Sequence, residues 1–133
     1  IHIYGWEEKM ITINTETKEV QHIEHANSVR GNMNPILLSI NDECHVFAGS
    51  DSKHHLLWND EEQKFKIICT FASWVKGLHG HRVVHAKSSD TIYLFGGYDY
   101  GPSKYNHKIW KCEVRNAYKW SELSVATPFN LYG

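Results

Sequence analysis

The chain has 133 residues, of which 41% are hydrophobic and 13% aromatic, enough apolar surface for a packed core and too much for a disordered chain. Its 14 basic residues are balanced by 15 acidic ones, and a net charge of −1 excludes a general electrostatic attraction to nucleic acid or to an anionic membrane. The longest apolar runs, at residues 35–38 and 66–69, fall far short of the roughly 20 residues that a transmembrane helix needs.

Short apolar stretches separated by Asn, Asp, Gly, Ser and Pro predict strands joined by turns rather than helices. In chain order, the first unit reads Ile1-His2-Ile3-Tyr4-Gly5-Trp6, then Met10-Ile11-Thr12-Ile13, a turn over residues 14–18, and a closing strand at Glu19-Val20. The second begins near Pro35, turns over residues 39–43, continues as Cys44-His45-Val46-Phe47-Ala48-Gly49 and His55-Leu56-Leu57-Trp58, turns again over residues 59–63, and closes at Lys64-Phe65. The third opens on Gly80-His81. Its strands are expected at residues 82–87, 91–95, 107–112 and 120–123, with Ser88-Ser89-Asp90 as the first turn.

The small residues Gly5, Ala48 and Gly96 recur at spacings of 43 and 48 residues. Periods of roughly 40 to 50 residues belong to propeller blades and solenoid units, in which one small sheet cannot bury both faces without a neighbour. After the strand Ile92-Tyr93-Leu94-Phe95, the pair Gly96-Gly97 is expected to take positive φ and let the chain leave the sheet where a side chain would collide with the adjacent unit. Trp110 and Trp120 are expected to supply bulk between units.

The order Gly80-His81, apolar strand, Gly96-Gly97, Trp110, Trp120 resembles the kelch repeat, a four-stranded antiparallel blade of a β-propeller. The first two units depart from it. Trp6 stands in place of a second glycine, Ala48 in place of a first, and Val20 and Phe65 in place of the closing tryptophan. The resemblance implies an all-β fold divided into a partial blade at residues 1–30, blades at 31–75 and 76–125, and the start of a further blade at 126–133. That is roughly two and two-thirds blades of a ring that closes with about four to eight, so the remaining blades are expected in cis or by self-association.

Antiparallel blades send the connection between strands two and three to the same face as the connections between blades. Loops on a rigid scaffold concentrate binding residues, and the tyrosine-rich segment 98–106 offers contact area together with polar groups. Tyr98, Tyr100, Lys104 and Tyr105 are the candidate partner-binding residues there, joined by Ser50 and Asp51 in the second unit and Trp74 between units. The resemblance implies a non-catalytic module that binds a protein or peptide, with no nucleic acid, membrane, metal or cofactor among its partners.

The alternative is a subdomain of a kelch-like propeller enzyme, such as a galactose-oxidase-like oxidoreductase with a copper site of Tyr, Cys and His. Tyr93, Cys112 and His107 are the matching residue types, with no motif that transfers the roles. Among ten histidines, His79, His81 and His85, the pair His54-His55, and His22 with His25 are the closest groups, and none is completed by Cys or carboxylate at metal-ligand spacing. No Gly-x-Ser-x-Gly elbow occurs, and Gly96-Gly97 runs into Tyr98-Asp99-Tyr100 rather than a phosphate-binding Lys-Ser/Thr. Cys44, Cys69 and Cys112 lack metal spacing, and with no Asn-x-Ser/Thr acceptor they point to a reducing, cytoplasmic setting. The chain starts inside a strand-like segment, so any targeting signal is expected outside it.

Overall fold

The computed structural model describes residues 2–4, 10–23, 36–47, 54–70, 78–99 and 103–131. Every regular element among them is a strand, and the strands pair antiparallel throughout. No helix among the described residues is long and apolar enough to cross a membrane.

The first sheet contains β1 (His2–Tyr4), β2 (Met10–Ile13) and β3 (Val20–Ile23), in that order. Its second turn is built by Asn14, whose side-chain oxygen accepts from the amides of Glu16 and Thr17 at 2.9 and 3.2 Å. Lys18 takes φ of 64° to bring the chain back, and the Asn14 amide donates to the Glu19 carbonyl at 3.0 Å. A short amide side chain that mimics a backbone turn is the physical reason Asn starts this hairpin.

The second sheet is a four-stranded meander of β4 (Ile36–Ile40), β5 (Glu43–Phe47), β6 (His54–Asn59) and β7 (Lys64–Thr70). Asn41 and Asp42 connect β4 to β5 with φ of 51° and 66°. Positive φ at both central residues defines the tight hairpin turn whose twist matches the strands it joins. At the β6–β7 turn the Asn59 side chain accepts from the Glu62 amide at 2.7 Å, and Gln63 takes φ of 49°.

The third sheet centres on β9 (Thr91–Asp99). One edge pairs along its length with β8 (Leu78–Ala86); the other pairs with β11 (Lys108–Glu113) over residues 91–95 and with the two-residue β10 (Lys104–Tyr105) at residues 98–99. The outermost strand is β12 (Lys119–Ala126). Gly96 and Gly97 do take positive φ, 70° and 90°, but the chain does not leave the sheet there, because β9 continues to Asp99. The returning C-terminal segment explains the requirement for glycine at 96. A Cβ on Gly96 would lie 2.9 Å from both Cβ and carbonyl oxygen of Leu131, and the Gly97 amide donates to that carbonyl at 2.7 Å. A Cβ on Gly97 would meet the neighbouring strand itself, at 2.9 Å from the His79 carbonyl.

Two apolar cores flank the second sheet. The period-two alternation of β5 sends Cys44 and Val46 to one side, where they pack with Ile23, Leu56, Trp58 and Phe65. Phe47 and Ile40 point to the other, against Val83, Ile92, Leu94, Trp110 and Cys112 of the third sheet. The second sheet is therefore buried on both faces along β5, with Ile23 of the first sheet contributing on one side and the third sheet on the other, while Ile67 on the edge strand β7 stays exposed. Trp110 is fully buried, and Trp120 is half-buried with its ring edge toward Phe47 at 6.1 Å. Each large side chain so enclosed contributes about 1.5–3 kcal/mol relative to exposure.

Gly97→Ala should destabilise the chain by at least about 2 kcal/mol, since an L-residue is strained at this φ and its Cβ strikes backbone rather than a movable side chain. Urea unfolding measures this, and an unchanged midpoint would show that β8 can move off β9 freely.

Candidate functional site

The sheets present two ends with different chemistry. At one end the β4–β5, β8–β9 and β11–β12 turns come together around Asp90, which takes φ of 49°. Its carboxylate accepts from His85 Nε2 at 2.9 Å and Arg115 Nε at 3.2 Å, with Asn41 Nδ2 of the second sheet at 3.4 Å. The Asp90 carbonyl accepts from the Val114 amide at 3.2 Å. Hydrogen bonding by His85, followed by Arg115 and Asn41, holds this carboxyl below its ordinary range. Beside it opens a cleft of about 620 Å³ walled by Ser39, Asn41, Asp42, His85, Lys87, Asp90 and Arg115. Charges of both signs line it, so it selects for no single ligand charge.

The other end carries the β9–β10 hairpin. Strand β9 starts at the Asp90 turn and rises about 3.3 Å per residue, which carries the hairpin to the far side of the sheet. Tyr98 and Tyr105 are direct cross-strand partners with rings edge to face at 5.1 Å, and Lys104 stands opposite Asp99. His79 on β8 is the partner of Tyr98 across the other edge, so His79, Tyr98 and Tyr105 form one row over three strands. Lys104 and Tyr105 are both exposed.

Asn106 ties this hairpin to the sheet. Its side-chain amide donates to the carbonyls of Gly96 and Lys108 at 2.8 and 3.1 Å, and its side-chain oxygen accepts from the Lys108 amide at 3.1 Å. Its backbone amide donates to Gly97 at 2.8 Å. In the sequence Asn106 stands only as the last residue of the segment 98–106. The signal that could have found it is an Asn following a Gly-Pro-Ser stretch, a residue type that satisfies loop backbone groups locally.

Of the residues expected from sequence to bind a partner, Tyr98, Lys104 and Tyr105 thus share one hairpin. Tyr100, Ser50, Asp51 and Trp74 lie outside the described residues. The oxidoreductase trio does not converge: Tyr93 is level with Lys111 and Cys112 with Ile92, which puts Tyr93 and Cys112 on opposite faces of the sheet. His107 precedes β11 and its ring nitrogen lies 3.2 Å from the Thr127 carbonyl. Between His79 and His81 stands Gly80 with φ of 64°; His79 is level with Tyr98 and His81 with Gly96, while His85 is engaged by Asp90. Among the described residues no group of three His, Cys, Asp or Glu is placed to hold a metal. Burial pushes the Cys44 thiol up to about 11 and the Cys112 thiol up to about 12, and raises Cys69, so these thiols are protonated at neutral pH.

No protein-family model matches this chain, and no curated protein matches it in sequence.

Asp90→Asn should lower stability at pH 7, and the difference from wild type should close as pH falls into the carboxylate range. A carboxyl held low in the folded state stabilises above its unfolded value and stops doing so once protonated. Thermal unfolding across pH checks both the sign and the convergence. Asn106→Ala should cost about 1–3 kcal/mol in urea unfolding by stranding the Gly96 carbonyl, whereas equal stability would mean the hairpin is held by other contacts.

Proposed function

We propose that this chain is part of a kelch-type β-propeller that acts as a non-catalytic protein-interaction module, gripping a protein or peptide through the loops at the Tyr98–Tyr105 end. The observation that carries the reading is the exposed tyrosine and lysine on a hairpin whose base is fixed to the sheet by Asn106. Rigid aromatic side chains on a preorganised support give contact area at low entropic cost. The propeller part is supported by three antiparallel sheets, the middle one buried on both faces along β5, at the 43- and 48-residue spacing of the small residues. The blade boundaries proposed are residues 1–30, 31–75 and 76–125, with 126–133 leading onward.

The outward face of the third sheet supports further blades, supplied in cis or by self-association. Val84, Tyr93 and Phe95 lie on this face, and Val84 is 46% exposed. Aligned on the small-residue pairs, Phe95 is the counterpart of Phe47, which the third sheet encloses. A cytoplasmic setting is proposed because Cys44, Cys69 and Cys112 are all free thiols.

A photo-crosslinking residue introduced at position 105 of the protein in cells should trap a partner, while the same residue at Glu61, on a turn at the opposite end, should not. Lys104→Glu with Tyr105→Ala, both at exposed positions, should weaken that partner's binding about tenfold or more with an unchanged circular dichroism spectrum. Equal trapping at both positions, or unaltered affinity in the double variant, would place binding elsewhere.

A further inference from the structure

Two imidazoles are sealed between the second and third sheets. His45 on β5 and His55 on β6 are each completely buried, and His45 Nδ1 lies 2.9 Å from His55 Nε2. The His55 ring stacks on Phe47 at 4.3 Å and meets the rings of Tyr118 and Trp120 edge-on at 5.3 and 6.0 Å. These last two belong to the third sheet and its β11–β12 turn, so the pair is part of the inter-sheet contact itself. Neither the binding hairpin nor the Asp90 cluster uses it.

The ionisable groups around the pair offer little to a buried cation. On β5, Glu43 Oε2 is 3.6 Å from His45 Nε2, but this carboxylate is half exposed and also accepts from the Tyr118 hydroxyl at 3.2 Å. On β7, Cys69 is the cross-strand partner of His55; on β11, Cys112 sits in the same core; on β8, His85 adds an unfavourable charge when protonated and is itself paired with Asp90. At 3.6 Å the Glu43 carboxylate is too far from His45 Nε2 to accept a hydrogen bond, but its charge favours hydrogen on that nitrogen, which leaves Nδ1 to accept from His55 Nε2–H. Neither His45 Nε2 nor His55 Nδ1 has a hydrogen-bond partner among the described residues, and it is His55 Nδ1 that is left with the free lone pair. One added proton either strands a cation at this nitrogen or forces the N–H···N bond to reverse through a change of tautomer. A second proton sets two N–H donors against each other across 2.9 Å.

We infer that the His45–His55 pair, which joins β5 to β6 and packs on Tyr118 and Trp120 of the third sheet, is an acid-released latch on the seam between the second and third sheets: neutral, it fits that seam, and proton uptake opens it. Burial, and then the neighbouring imidazole, holds His55 down to about 3, and burial likewise lowers His45. A histidine held low in the folded state stabilises above its unfolded value, ordinarily near 6.5, and loses that stabilisation as pH falls below it. For His55 alone the folding equilibrium constant should drop about 25-fold between pH 7 and pH 5.

The test is urea unfolding of the intact chain at the two pH values, for wild type and His55→Phe, a ring chosen to fit the same aromatic surround. The variant should lose about 25-fold of the pH dependence; an equal dependence in both proteins overturns the latch. Long-range ¹⁵N–¹H spectra of the wild-type rings need no variant to fold. His55 should remain neutral at pH 5, and titration near 6.5 overturns the inference. Location is read by the labelling rates of two buried thiols with a disulfide reagent active in acid, normalised to a free thiol. Cys112, between the second and third sheets, should become more accessible at pH 5 while Cys44, on the other face of the second sheet, does not. Equal gains at both would mean global unfolding and reject a latch at this seam.

Discussion

Everything in this fold depends on the inner strand β5 of the second sheet being buried on both faces. Such a strand cannot alternate apolar with polar, and β5 does not. Cys44 and Val46 meet the first sheet, and His45 and Phe47 meet the third, with all four side chains enclosed. Burial on both sides is what makes such strands read as continuous hydrophobic runs. It also fixes register, because a slip of one residue would exchange the two faces and press the imidazole of His45 into the Val46 core. The tight Asn41-Asp42 turn sets the β4–β5 register at one end, and the Asp90 cluster joins that same turn to the third sheet.

The strands were legible in the sequence because their signals are local. Asn14, Asn59 and the 88–90 turn mark hairpins through turn chemistry, and the apolar run 92–95 marks a buried strand without reference to anything distant. The glycine pair shows where that legibility stops. Positive φ at Gly96 and Gly97 could be foreseen, but its reason could not. The groups that exclude a side chain are Leu131, 35 residues away, and the His79 carbonyl across the sheet, and neither follows from the spacing of the repeat. The candidate site divides along the same line. Tyr98 and Tyr105 were foreseen as loop tyrosines, yet their pairing across a two-residue strand requires the turn geometry, and Asn106 becomes an anchor only once three carbonyl and amide groups converge on it. The His45–His55 contact was hidden for a further reason. Ten histidines look alike in a sequence, and only strand register shows which two of them meet.

Equivalent positions in the second and third sheets show what that contact displaces. Aligned on Ala48-Gly49 and Gly96-Gly97, Phe47 corresponds to Phe95 and His45 to Tyr93. An aromatic ring at both positions would satisfy the packing requirement alone. An imidazole in place of the phenol brings two ring nitrogens into a space with few polar partners, and burying an unpaired polar group costs free energy that a hydrocarbon ring would not. The second histidine offsets that cost by supplying the 2.9 Å contact, and it does so only while the pair shares a single N–H between facing nitrogens. The polar core of this interface is thus conditional on protonation in a way that its apolar neighbours Ile92, Leu94 and Trp110 are not. Because those neighbours complete the cover of the second sheet, the condition extends from two rings to the stacking of the second sheet on the third.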